Sequence, residues 1–484
     1  MRYLIRYSEI GTKAVGTRRR FLRQLQRNIK DGLARNDMEG HVETTLARGY
    51  VTSEDKGVLD VLVRIFGVQS VSPVHSFRLK SLDDVLARGE QHFKDAVAGK
   101  QFAVRARRVG NHEFTSQDIE RQLGAALLPH AAGVRLNDPE VTASVEIRDR
   151  DVSFFLQRQP GPGGLPLGSQ GRALVLLSGG FDSAVAAWEM MKRGVGVDYL
   201  FFNLGGPIHE EGVLRVVNKL MRTWQYGDNA SIVVVPFMPM VEAIRKYTKQ
   251  SYWNLVLKRA MLVAAAQIAE DRHLLAIVTG DAVGQVSSQT LPNLHALGDV
   301  GLPVLRPLLT QDKDDIVMRA RHVGTEKLSA AVDEYCAIVP RHPVTSATRE
   351  GLDREWGSIP DDVLLGTLSD MRALNLRSLK ISETSALGDV ARDDIPDNAL
   401  LIDVREPEEF AEWHAKDAKR LDIHEAMRQL DDLPKNQPVL FVCEHGLLSA
   451  ELAFMARERG VDASSFNGGI AALRSAMDGV AGVQ

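Results

Sequence analysis

The sequence is poor in cysteine, poor in aromatic residues and without a long apolar run. Two cysteines, Cys336 and Cys443, among 484 residues are too few for a disulfide framework or a cysteine-rich zinc site. Each thiol therefore stands for chemistry of its own or for a simple core position. Apolar stretches such as 261–266 fall far short of the roughly 18 residues that a membrane-crossing helix needs, so no membrane partner is expected. The amino end alternates apolar residues with Arg2, Arg6 and Glu9. That pattern reads as a strand and not as the apolar core of a signal peptide, and a cytoplasmic protein is expected. With 44% apolar and 25% charged residues, the composition excludes a disordered or collagen-like chain. At about 150 residues per domain, the length implies roughly three domains.

What is present is unevenly charged. Residues 1–35 hold ten Lys or Arg against Glu9 and Asp31, a net of +8, whereas residues 381–484 hold 20 acidic against 10 basic residues, a net of −10. A basic amino end favours a phosphate backbone through counterion release, and an acidic carboxyl end would be repelled by one. Apolar periodicity divides the chain into segments. The first, to about Pro73, has a strand at 3–7 and a helix carrying Phe21, Leu22, Leu25 and Ile29. A compact α+β unit follows from Phe77 to about Phe155. The Gly/Pro stretch 160–168 predicts a linker or boundary loop. From Ala173 to about Ser378, apolar strands at 173–177, 198–202, 231–235 and 275–278 alternate with helices, as in a parallel sheet wound by helices. A last short α/β set includes strands at 400–404 and 438–442.

The strongest chemical signal is Ser178-Gly179-Gly180-Phe181-Asp182-Ser183, between a buried strand and a helix opening at Ala184. Glycines there turn backbone N–H groups toward an anion, and the helix amino terminus adds positive dipole. The loop lacks Gly-x-x-x-x-Gly-Lys-Ser/Thr, which disfavours γ-phosphate transfer. It resembles instead the SGGxDS motif of the PP-loop ATP pyrophosphatases, which adenylate a substrate oxygen and release pyrophosphate. The polar stretch 279–290, with Arg306-Pro307-Leu308 and Gln311-Asp312-Lys313, extends the likeness to the tRNA 4-thiouridine synthetase (tRNA sulfurtransferase) family. The resemblance implies ATP contacts at Leu176, Leu177, Lys258, Gly280 and Gln289, with Ser178, Gly179, Gly180 and Ser183 of the loop. It also implies a catalytic Asp182 and a phosphate-facing Lys313. Residues 6–13 are similar to the family's ferredoxin-like entry and 102–110 to its THUMP domain, two modules that hold tRNA. Arginine rows at Arg18, Arg19 and Arg20 and at Arg105, Arg107 and Arg108 would track phosphates rather than read bases.

Cys443 ends a strand and opens Glu444-His445-Gly446-Leu447-Leu448-Ser449 before a helix. Backbone N–H groups and the helix dipole at such a position stabilise a sulfur anion. With 401–406 and 466–469, this segment resembles a rhodanese domain. Free-standing rhodaneses carry Cys-x-x-Gly-x-Arg, and Leu448 stands where that arginine would be, which suits sulfur delivered by a protein. The local sequence around Cys336 marks only a core position; the resemblance makes it a resolving cysteine that can close a disulfide with Cys443.

The expected fold is therefore α/β and multidomain: a ferredoxin-like domain (1–60), a THUMP α+β unit (61–165), a doubly wound parallel-sheet PP-loop domain (166–378), a linker (379–396) and a small rhodanese domain (397–484). The resemblance implies ATP-dependent 4-thiolation of uridine 8 in tRNA, with a persulfide on Cys443 charged by a cysteine desulfurase, and beside it a sulfur relay to thiamine thiazole synthesis. It further implies magnesium with the ATP, a thiol reductant and a homodimer, and no residue is assigned as a resident metal ligand. Two alternatives stay open: a sulfur relay for the thiazole of thiamine without tRNA activity, and a tRNA-binding protein with an inactive ATP loop.

Overall fold

The computed structural model describes residues 1–332, 340, 342–379 and 389–481. Cys336 and residues 380–388 of the expected linker lie outside the described residues. The chain forms two compact units, one of residues 1–170, 191–195 and 224–228 and the other of 171–190, 196–223 and 229–484.

The first unit is a single nine-stranded sheet joined by one long strand. Val68–Arg78 pairs antiparallel with Arg2–Tyr7 along its first half and with Asp151–Phe155 along its second. The amino-terminal helix Val15–Ala34 buries Phe21, Leu22, Leu25 and Ile29, the periodic positions, on one side of this sheet's first part. Helices Leu82–Val97 and Ser116–Leu127 cover the second part with Phe93, Val97, Ile119 and Leu123, all fully buried. Each such side chain stabilises the fold by about 1.5–3 kcal/mol. Both helices start at a side-chain cap. Ser81 accepts from the Asp84 N–H, and Thr115 forms a reciprocal capping box with Asp118.

The Gly/Pro stretch differs from a free linker. The N–H groups of Gly161 and Gly163 donate to Gln69 and Val68 at 2.9 Å each, and Leu165 and Leu167 are buried in the first unit. Gly164, at φ +70°, passes so close to the Lys192 carbonyl that no Cβ fits. The segment is a strap docked on its own unit, because its two leucines find apolar partners.

In the second unit, six strands run in the order Val304–Leu305, Ile277–Val278, Arg172–Leu176, Gly196–Asn203, Ser231–Pro236 and Arg372–Asn375. The first five are parallel. The last is antiparallel, pairing Ser231 with Asn375, and it departs from the all-parallel expectation because a short, polar edge strand leaves no apolar run to read. A further five-stranded parallel sheet holds Ala391–Arg392, Ala463–Phe466, Val439–Val442, Leu400–Asp403 and Lys419–Arg420 in that order. Its first strand falls within the stretch expected to be linker.

Candidate functional site: a nucleotide crevice and a buried thiol

Strand order reverses beside Arg172–Leu176. The chain moves from it to Gly196–Asn203 and Ser231–Pro236 on one side, then returns to Ile277–Val278 on the other. Ligands of doubly wound sheets bind in the crevice at such a switch point, outside the carboxyl ends of the strands. The loops leaving these two central strands are 177–180 and 279–290, and they frame a cavity of about 640 Å³.

Their approach depends on glycine. A Cβ at Gly280 would lie 2.8 Å from the Asp182 carbonyl carbon and 2.9 Å from the Ser183 nitrogen, so only glycine lets the second loop lie against the first turn of helix Phe181–Lys192. Gly179 takes φ +89° to make the turn itself. The buried Ser183 hydroxyl accepts from the Ser178 N–H at 3.2 Å and donates to the Gly180 carbonyl at 3.2 Å, which fixes the loop from within.

Leu176, Leu177, Ser178, Asp182, Ser183, Lys258, Gly280 and Gln289 all line this one cavity. Gly179 and Gly180 shape the loop behind it. Lys313, at the start of helix Lys313–Val323, reaches the Asp182 carboxylate at 3.0 and 3.1 Å, and Gln285 donates to the same carboxylate at 2.8 Å. The crevice thus sets cations and N–H donors around a space large enough for a nucleotide.

Behind it sits a charged hub that the sequence reading did not assign. Asp281 is buried and receives Lys258, Arg306 at 3.2 Å, the Thr279 hydroxyl at 2.8 Å and the Gln289 amide at 3.2 Å. Burial works against ionisation here, but Lys258, Thr279 and Arg306 together outweigh it and hold the carboxyl below the ordinary aspartate range. An Asp directly after the glycine that closes a buried strand was the available signal. His209 was missed as well. It lines the crevice from helix Gly206–Thr223, with its ring 5.0 Å from that of Phe201. Burial pushes its pKa down to about 4 despite a hydrogen bond with the Ser178 backbone, so the ring is neutral at physiological pH.

The thiol lies at the end of strand Val439–Val442. Cys443 is free, 4% exposed, and its Sγ accepts from the N–H groups of Gly446 at 3.1 Å and Ser449 at 3.4 Å, with the Ser449 hydroxyl 3.2 Å away. Gly446, at φ +89°, caps helix Leu447–Glu458. Ser465 supports the cradle, touching the Ser449 hydroxyl at 2.8 Å and donating to the Gly446 carbonyl at 3.2 Å. Such a ring of donors suits one anionic sulfur atom.

Family models match four stretches of the chain: the ThiI ferredoxin-like domain at 2–72, the THUMP domain at 80–157, Thiamine biosynthesis protein (ThiI) at 168–359 and the rhodanese-like domain at 389–476. A tRNA sulfurtransferase of Marinobacter nauticus is 37% identical over 463 residues, covering 93% of this chain and 96% of that protein. One of Pyrobaculum aerophilum is 35% identical over 465 residues, covering 96% of each. The chain belongs to the tRNA sulfurtransferase family. Among solved structures it resembles a 4-thiouridine synthetase–RNA complex with bound ATP, at 29% identity and a TM-score of 0.67, covering 77% of this chain and 99% of that one. The fold is shared also with PH1313 from Pyrococcus horikoshii, at 24% identity and a TM-score of 0.54, covering 67% and 99%.

Within the family's THUMP segment, Arg105 and Arg107 lie on the sheet face opposite the helices, exposed. Arg108 turns to the other face, where it donates to the Gly110 carbonyl at 3.2 Å and meets His112 at 2.9 Å. On the ferredoxin-like helix, Arg19 and Arg20 are exposed, while Arg18 is turned back onto the Gly11 carbonyl. The sheet face of Arg107 also carries Arg48 and Arg148, each 2.8 Å from buried Glu146, and Arg6 at 3.4 Å. Three arginines against one carboxylate leave this face positive, and Arg48 and Arg148 were not singled out from sequence.

Proposed function

We propose that this chain uses ATP to activate O4 of uridine 8 in tRNA and replaces that oxygen with sulfur carried on Cys443, forming 4-thiouridine. The observation that carries the reading is the presence, in one chain, of a nucleotide-sized crevice bounded by the 178–183 loop and Lys258 and a buried thiol cradled by backbone donors. In the first step O4 attacks the α-phosphorus of ATP, the α–β phosphoanhydride breaks and pyrophosphate leaves. Lys258 and Lys313 offset the negative charge at the phosphates, and Leu176 and Leu177 offer apolar surface to the base.

No group of three or more His, Cys, Asp or Glu that could hold a metal occurs among the described residues. The Asp281 oxygens are taken by Lys258, Arg306, Thr279 and Gln289. Asp182, which faces the crevice, would exchange its contacts with Lys313 and Gln285 to hold, together with the phosphates, a magnesium ion, which offsets triphosphate charge when bound.

Sulfur reaches Cys443 by exchange with the persulfide of a cysteine desulfurase, which leaves as its thiolate. The terminal sulfur of the Cys443 persulfide attacks C4, and AMP departs with the former O4. The Cys336 thiolate then attacks Cys443 Sγ, breaking the S–S bond, freeing thiouridine and leaving a Cys336–Cys443 disulfide. A thiol reductant supplies the two electrons that reset it. Residues 1–165 would hold the tRNA.

A second reading, sulfur relay to the thiamine thiazole, is favoured by the match of 168–359 to a model described as a thiamine biosynthesis protein. A deletion strain separates the two. Loss of 4-thiouridine supports the tRNA reading, thiamine auxotrophy supports the relay, and intact 4-thiouridine would overturn the first.

A further inference from the structure

Leu448 stands where free-standing rhodaneses carry an arginine, and the structure gives it and Leu447 a largely apolar seat instead. Both are half-buried and pack with Ile208, which is 2% exposed and buried among the core side chains of the rhodanese sheet although it belongs to helix Gly206–Thr223. A Cβ on Gly212 of that helix would meet Val332 Cγ2 at 2.8 Å and Leu447 Cδ1 at 3.6 Å. A Cβ on Gly179 of the nucleotide loop would meet the other methyl of the same valine, Val332 Cγ1, at 2.7 Å. Val332 is therefore a wedge between the phosphate-side loop and helix Gly206–Thr223, admitted by a glycine on either side, and Leu447 approaches the same Gly212. The gap left among these residues is about 20 Å³, room for no more than one water. His209, one residue after Ile208, is neutral and lines both this contact and the nucleotide crevice.

We propose that Leu447 and Leu448 are positioning residues, which seat the Cys443 loop on Ile208, Gly212 and Val332 against the wall of the nucleotide crevice, and that leucine replaces arginine at 448 to make this contact. The proposal rests on the functional reading above. It separates two events that share one thiol: loading of sulfur onto Cys443, which needs only the cradle, and delivery to the activated base, which needs the seat. A guanidinium at 448 would place a charge in a contact whose lining is apolar apart from His209 and Glu451.

The test compares Leu448→Arg and Leu448→Met in the full-length protein, with sulfur loaded from a cysteine desulfurase, then ATP and tRNA added for one turnover. Leu448→Arg is expected to load Cys443 as the unmodified protein does and to keep its KM for ATP, while delivery slows about a hundredfold, the scale of a misplaced reacting group. Leu448→Met, similar in volume, is expected to deliver normally. Delivery at the unmodified rate by Leu448→Arg, or loading lost in step with delivery, overturns the proposal. Amide hydrogen exchange gives a readout that does not depend on tRNA being the acceptor: Leu448→Arg should speed exchange in residues 206–213. Unchanged exchange there refutes the seat, whereas faster exchange in a protein that thiolates no tRNA leaves the seat standing and refutes the functional reading.

Discussion

The nucleotide crevice and the thiol cradle share one plan, a buried parallel strand running into a glycine turn and a helix, yet they treat negative charge differently. In the crevice, side chains do the work. Lys258, paired with Asp281, lines a space of about 640 Å³, and Lys313 reaches the Asp182 carboxylate on the same wall. In the cradle, backbone N–H groups of Gly446 and Ser449 and one hydroxyl surround a single sulfur atom that is almost closed off from solvent. In the proposed reaction a polyanion would enter and leave as pyrophosphate and AMP, which calls for long, charged partners. A sulfur that must be held without being trapped needs fixed dipoles. The shared architecture supplies the place, and the residues on the loops supply the chemistry.

The largest effect expected is on the cradle side. Cys443→Ser should abolish both persulfide formation, read by mass spectrometry, and thiolation, and residual thiolation would mean that sulfur bypasses this thiol. Cys336→Ser should still accept sulfur on Cys443 but fail to turn over, because the thiolated uridine stays joined to Cys443 through the S–S bond, and peptide mapping of the unmodified protein after one turnover under non-reducing conditions should find the bridge. Turnover by Cys336→Ser at the unmodified rate without added thiol would remove the resolving role.

On the crevice side, Asp182→Ala should lower adenylation by about a thousandfold, the upper range for loss of one preorganised electrostatic group, while tRNA affinity stays. ATP-dependent thiolation at the normal rate would sink the assignment. Asp281→Asn removes the centre of a buried ion cluster and should cost about 3 kcal/mol of stability at neutral pH, seen in denaturant unfolding. The sign with pH follows from the depressed carboxyl. Its stabilisation is complete above the ordinary aspartate pKa and is lost as pH falls through the lowered folded value, so the difference between Asp281→Asn and the unmodified protein should shrink in acid. A gap that widens as pH falls would contradict the hub.

The smallest effects belong to the exposed arginines of the first unit. Truncating residues 1–165 should remove tRNA affinity, whereas Arg107→Ala alone should weaken it modestly and reduce the slope of log affinity against log salt by about one. Affinity indifferent to salt would return these arginines to ordinary solvated surface.

Local features were legible in the sequence. The 178–183 loop announces itself because strand, glycines and helix follow one another within a few residues, and the helix of Phe21, Leu22, Leu25 and Ile29 because its spacing is helical. What stayed hidden was long-range or weakly patterned. The Asp281 hub joins residues from three separate elements, and no local rule pairs them. The edge strand Arg372–Asn375 is short and polar, and the strap at 160–168 looks like a linker until Leu165 and Leu167 are seen buried. Strand alternation could have separated Arg108 from Arg105 and Arg107. The leucine at 448 was visible as a departure, but its partners on a helix more than two hundred residues earlier were not.

The most direct measurement follows radiolabelled sulfur preloaded on Cys443 through one turnover with tRNA, with and without ATP. The account predicts that label appears in 4-thiouridine of the tRNA only when ATP is present and leaves Cys443 in equal amount. Label that reaches tRNA without ATP, or that stays on Cys443 while unlabelled thiouridine forms, would contradict it.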